Sequence, residues 1–312
     1  MRGLDIAKEF YLQFGKPMLE EQFADVIDRI AIGLVGEGSE CLGYDDEFSQ
    51  DHDFEPGFCL WITKEDEKEF GFRLERAYAK LPKEFMGLHR SFLSPAGGNR
   101  HGVFIIDDFY THLIGAASAP IKNQHWLAIP PFYLRSATNG EVFSDKLGKF
   151  TDIRNVLLQG YPEDVRKKKI AAHLALMAQS GQYNYQRCIA RGEFGAAQLA
   201  IFEFVKNTLS IIYLLNKQYE PFYKWVYRGL KELKCLGNIG ESLQGLTEMD
   251  NSKENVKIKQ KIIDDIILLI INELRKQNLS KVTCNDLDKH AYYILDSIKD
   301  EFLRNMHIME GI

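Results

Sequence analysis

The stretch "IAIGLVGEGSECLGYDDEFSQDHDFEPGFCLWIT", residues 30–63, places two apolar, β-branched and aromatic runs on either side of a glycine-rich segment and a crowd of acids. "IAIGLVG" and "FCLWIT" read as strands. Directly after the first, Gly36, Gly38 and Ser39 predict a tight turn whose backbone N–H groups and one hydroxyl can point at phosphate oxygens. Just before the second stand Asp51 and Asp53. Residues two apart on an extended chain share a face, so the two carboxylates point together and His52 points away.

Adjacent carboxylates repel and raise one another's pKa, so such a pair ordinarily has a cation beside it. Oxygen ligands favour Mg2+, whose remaining ligands are waters and substrate phosphates. A phosphate-cradling turn and a carboxylate pair are the two halves of a metal-assisted phosphoryl or nucleotidyl transfer site. On the residues alone a blander reading stays open, in which the pair belongs to a solvated loop like the neighbouring Asp45 and Asp46.

Outward from this stretch, two further apolar runs, "GVFIID" and "GEVFSD", continue the strand texture to about residue 150, mixed with turn signals and short helical patterns. From about 151 onward the periodicity is helical, with long amphipathic patterns in "DVRKKKIAAHLALMAQ", "RGEFGAAQLAIFEFVKNTLSIIYLLN" and "KIKQKIIDDIILLIINELRKQ". Pro17, Pro162 and Pro221 each stand near the start of a helical pattern, where a missing N–H costs nothing. The expected fold class is α+β: a mixed sheet with helices over residues 1–150, then an all-helical domain over 151–312. The connection is expected around 145–153, and an exposed loop at 247–257.

At 312 residues the chain is long enough for two packed units, and its composition is that of an ordinary globular protein. A net charge of −5 disfavours a long nucleic-acid partner. Five scattered cysteines without a CxxC pair read as free thiols in a reducing cytoplasm. The first residues lack a signal-peptide pattern, and the apolar "IIDDIILLIINEL" is too short to span a bilayer, so a cytoplasmic protein without membrane contact is expected.

Gly38-Ser39 followed by "SQDHDF" resembles the hG[GS]…[DE]h[DE]h signature of the polymerase-beta type nucleotidyltransferase superfamily. The chain is similar to small bacterial enzymes of the kanamycin and lincosamide nucleotidyltransferase kind, and to an uncharacterised two-domain bacterial family of this type. The resemblance implies a nucleoside triphosphate substrate, ATP foremost, and two Mg2+ ions held by Asp51 and Asp53. It also implies transfer of the monophosphate to a hydroxyl of a small molecule or a protein. The superfamily takes a third carboxylate from a later strand. In "RHGVFIIDDFY" the middle of that strand is apolar, and Asp107, at its end, is the candidate for catalysis and metal binding. Two alternatives stay open: a catalytically silent nucleotide-binding or interaction protein, favoured by Phe104 in mid-strand, and an antitoxin-like protein that adenylylates a partner.

In the helical half, Tyr183, Arg187 and Arg191 fall at i, i+4 and i+8 on one helix face. The two arginines could hold a triphosphate or an anionic acceptor, or pair with neighbours such as Glu193. Lys224 beside Trp225 could close a nucleotide pocket by charge and stacking, or Trp225 could be plain core. The run Arg166-Lys167-Lys168-Lys169 reads as a solvated helix face.

Overall fold

The structure, a computed structural model, describes residues 2–50, 55–90 and 100–312. The chain is α+β and divides into two compact units, one of Met1–Pro120 with Phe132–Gln159, the other of Ile121–Pro131 with Gly160–Ile312.

In the first unit the four apolar runs singled out above become the four strands of one mixed sheet. They are β1 (Ala31–Leu34), β2 (Cys59–Ile62), β3 (Gly102–Ile105) and β4 (Glu141–Ser144), in the order β3-β2-β1-β4. β1 is antiparallel to β2, with Gly33 opposite Cys59, and to β4; β2 is parallel to β3, with Cys59 opposite Gly102. On one face Ile32, Leu60 and Ile62 pack with Phe10, Leu19, Phe23, Phe58 and Leu74, supplied largely by helices α1 (Gly3–Phe10), α2 (Lys16–Gln22) and α4 (Phe72–Ala79). The short helix α3 (Ser39–Leu42) follows β1. Burying a side chain such as Phe58 stabilises the fold by roughly 1.5–3 kcal/mol.

Trp61 points to the opposite face. Its ring stacks on Phe150 at 4.0 Å and meets Phe109 edge-on at 5.5 Å. These partners come from α5 (Ile106–Ile114) and α7 (Lys149–Leu158), with α6 (Pro131–Thr138) between them in sequence. The Tyr110 hydroxyl donates to the Phe150 carbonyl at 2.9 Å, tying α5 to α7. Apolar partners on both faces explain why β2 is an unbroken apolar run rather than an alternating one. Residues 145–153 pass through an Asp145-centred turn into α7.

The second unit is built from helices α8 (Glu163–Met177), α9 (Phe194–Leu215), α10 (Lys253–Lys276), α11 (Leu287–Asp296) and α12 (Glu301–Asn305), with shorter segments. The first three coincide with the long amphipathic patterns. Pro162 is the N-cap of α8, and in the first unit Pro17 sits in the opening turn of α2. The isoleucine stripe of α10 (Ile263, Ile266, Ile267, Ile270 and Ile271) is buried. α9 is the one helix among the described residues long and apolar enough to cross a membrane, and 67% of its most apolar window is buried inside the protein. The loop expected at 247–257 is shorter, because α10 already starts at Lys253, where Asp250 accepts hydrogen bonds from Ser252 N and Asn255 Nδ2.

The basic run on α8 corrects the expectation of a solvated face. Arg166, Lys168 and Lys169 are buried, and only Lys167 is partly open. Arg166 is held by Glu163 and by the Leu214 carbonyl, while Lys168 and Lys169 each donate to backbone carbonyls of residues 306–311. Buried ammonium groups are tolerated because such acceptors are waiting for them. A charge run in a sequence does not reveal where those carbonyls will be.

Candidate functional site

The register of the sheet fixes where the turn of the opening stretch stands. Because Gly33 lies opposite Cys59 and Cys59 opposite Gly102, the end of β1, the start of β2 and the start of β3 share one end of the sheet. From Leu34 the chain enters the turn, with Gly36 at φ 136° and Gly38 at φ 151°, backbone that glycine adopts far more readily than other residues. Ser39 then opens α3. Asp51 and Asp53 lie outside the described residues; the chain is described again from Glu55 and runs into β2 from this same end.

Glu40 dominates the electrostatics of the described part of this end. It is buried, and its carboxylate fills the space beside Gly38 that a Cβ would need. Burial pushes the Glu40 carboxyl up; hydrogen bonds from its own backbone and from Ser39, and the nearby Arg100 charge, pull it down. Leu34, Glu40, Glu55 and His101 line a small pocket of about 10 Å3, enough for a water-sized group. A Cβ on Gly57 would run into the His101 ring, at 2.7 Å from Cγ, so a glycine there lets the imidazole lie against the chain just before β2.

The turn is also tied from behind by two residues that sequence reasoning passed over. Gly36 N donates to Asn139 Oδ1 at 3.1 Å, and Asn139 Nδ2 donates back to the Gly36 carbonyl at 2.7 Å. Gly140 N donates to the Cys41 carbonyl at 2.7 Å. The available signal was the Asn-Gly pair heading "GEVFSD", which by itself announces only a turn.

The other expected residues stand elsewhere. Asp107 is in the first turn of α5, beyond the far end of β3, with Lys64 Nζ 3.2 Å from its carboxylate. Three strand rises, roughly 10 Å, separate that end of β2 and β3 from the end that carries Gly38 and Ser39. At mid-strand, Phe104 lies in register with Trp61 and its ring faces Phe109 at 6.4 Å. In the second unit, Arg187 is exposed and lies over the Tyr183 ring at 3.7 Å, so the two do share a face. Arg191 is exposed, directly after the short helix Tyr185–Ala190. Lys224 and Arg228 approach the half-buried Trp225 ring at 5.3 and 5.2 Å, beside exposed Phe222 and Tyr223. Among the described residues, no group of three or more His, Cys, Asp or Glu side chains could hold a metal ion. Of the three carboxylates proposed from the sequence for Mg2+, whose oxygen chemistry suits that ion, Asp107 stands beside Lys64 and Asp51 and Asp53 lie outside the described residues.

Residues 126–226 match the family model of a domain of unknown function (DUF4037). No curated protein and no solved structure matches the chain.

Proposed function

We propose that the chain is a Mg2+-dependent nucleotidyltransferase that moves a nucleoside monophosphate, AMP foremost, from the triphosphate to a hydroxyl of a small molecule or a protein. The observation that carries the reading is the shared sheet end. The glycine turn after β1, the path into β2 that follows Asp51 and Asp53, and the start of β3 all belong to it. In this reading the Gly38 backbone and the Ser39 hydroxyl bind phosphate oxygens, and Asp51 and Asp53 hold the metal. Bound Mg2+ supplies charge neutralisation of the phosphates and polarisation at phosphorus. Arg187, Arg191 and Lys224 are the candidate cations of the second unit for the triphosphate or an anionic acceptor. All five cysteines are free thiols, which supports a reducing, intracellular setting.

The test is a calorimetric titration of ATP with and without Mg2+, in the wild type and in the double variant Asp51→Asn, Asp53→Asn. Mg2+ should strengthen binding in the wild type only. Equal affinities in the two proteins would remove the metal from the reading.

A second reading, a silent nucleotide binder, is favoured by Phe104 at mid-strand and by the position of Asp107 beside Lys64, away from the turn. Pyrophosphate release against hydroxylated small molecules and proteins separates the two. Tight ATP binding with no release from any acceptor selects the silent form.

A further inference from the structure

The turn after β1 is gripped at both ends by one dipeptide about a hundred positions away. Asn139 is buried, and its amide satisfies both backbone groups of Gly36, accepting from N–H and donating to C=O. Gly140 fastens the chain again beyond the turn, at Cys41. It has φ 63°, and a Cβ on it would strike the Leu34 carbonyl, so only glycine brings the dipeptide this close. Behind both stands the buried Arg154, which donates to the Ala137 carbonyl at 3.1 Å and the Gly140 carbonyl at 3.4 Å.

A free glycine turn samples many conformations, and a ligand that needs one of them loses affinity by the fraction of time the others are occupied. Two bonds from one side chain to one residue remove that freedom, because Gly36 cannot rotate without breaking both. We propose that Asn139, backed by Arg154, is the positioning residue of this turn, holding Gly36 so that Gly38 and Ser39 meet a triphosphate in one conformation. The identity of the ligand rests on the nucleotidyltransferase reading; the lock itself does not.

The chemistry required at position 139 is one acceptor and one donor. An ionised aspartate keeps the acceptor, loses the donor and sets a negative charge against the Gly36 carbonyl. A protonated one, with its O–H donor and C=O acceptor, restores both bonds, and burial raises its pKa toward accessible pH. A residue that merely filled space would show no such acid rescue.

The experiment uses the full chain as wild type, Asn139→Ala and Asn139→Asp. Amide hydrogen exchange over residues 35–42, expressed as protection to remove the intrinsic effect of pH, should fall about tenfold in Asn139→Ala. In Asn139→Asp it should fall at about pH 7.5 and recover at about pH 5, while protection over Cys59–Ile62 holds. Wild-type protection of the turn in Asn139→Ala, or no acid recovery in Asn139→Asp, overturns the lock; the aspartate also serves if the alanine variant fails to fold. Titration with Mg2+ and ATP should show affinity about tenfold weaker in Asn139→Ala. Equal affinity in a binding wild type and in the variant overturns the positioning role. A wild type that binds no triphosphate defeats the nucleotide reading instead, and the exchange data still decide the lock.

Discussion

Asp164 and Lys168, one turn apart on α8, hold opposite ends of the five-residue helix α12. Asp164 Oδ2 accepts from Asp300 N at 2.9 Å, at the start of α12. Lys168 Nζ donates to the His307 carbonyl at 2.7 Å and, more weakly, to Met306 and Ile308 at 3.3 and 3.4 Å, just past its end. An anion at the amino end and a cation at the carboxyl end complement the helix dipole, and they stabilise a helix too short to persist alone.

Replacing Lys168 with Met removes all of its bonds from a fully buried site while keeping most of the volume. The expected loss is roughly 1.5–3 kcal/mol, as for a charged hydrogen-bond donor whose acceptors are left without it. Lys167→Ala, which loses one bond to the Ser297 carbonyl from a more open position, should stay within about 0.5 kcal/mol. Urea denaturation checks both. Equal midpoints for the two variants would mean that the grip on α12 contributes nothing.

Acid should destabilise the protein through His173. Burial lowers its pKa from 6.5 to about 4, helped by the Lys169 and Lys206 charges and opposed by its hydrogen bond with Asn207 at 2.7 Å. The folded imidazole therefore stays neutral where the unfolded one takes up a proton. Above pH 6.5 neither form is charged and the group costs nothing; as the pH falls from 6.5 to about 4 the unfolded chain gains a proton that the folded one does not, and stability is lost. The loss amounts to roughly 3 kcal/mol. His173→Gln should flatten that part of the stability profile, and an unchanged slope would assign the acid sensitivity to other groups.

Gly38→Ala should destabilise the first unit by roughly 1–3 kcal/mol, because the new Cβ meets φ 151° and the buried Glu40 carboxylate together. Part of that cost is steric, so in a Glu40→Ala background the same change should cost less. A double-mutant cycle by thermal melting measures the difference, and strict additivity would place all of the cost in the backbone.

Arg187→Ala and Arg191→Ala should each weaken triphosphate or acceptor binding about tenfold or more, if these exposed cations meet an anionic ligand. Neither should move the melting temperature much, since exposed side chains contribute little to stability. Paired titration and melting decide it, and unchanged affinity in both variants removes them from the ligand's surroundings.

The four strands were legible because each is a short apolar run bounded by turn residues, and the long helices because their buried stripes repeat at 3.6 residues. The glycine turn was legible for the same local reason. What escaped were features whose meaning depends on a distant partner. Lys168 and Lys169 look solvated until the carbonyls of 306–311 arrive, and Asn139 looks like a turn residue until Gly36 lies against it. Asp107 follows β3 directly in sequence, but the parallel pairing with β2 puts it at the far end of the sheet, beside Lys64. Pairing direction is set by tertiary structure, and a run of apolar residues carries no arrow.

The excursion of residues 121–131 out of the first unit bears on how the gene can be dissected. The polypeptide passes from one unit to the other at 120/121, 131/132 and 159/160, so no single cut yields two intact halves. A fragment stopping at 159 would retain Trp126 and Leu127 while discarding Tyr161, whose ring lies 6.3 Å from the indole, and Gly311, where the leucine side chain occupies the space a Cβ would need. Such a truncation exposes buried apolar surface and invites aggregation. A self-standing version of the sheet-bearing half calls instead for excision of 121–131 and a short replacement linker.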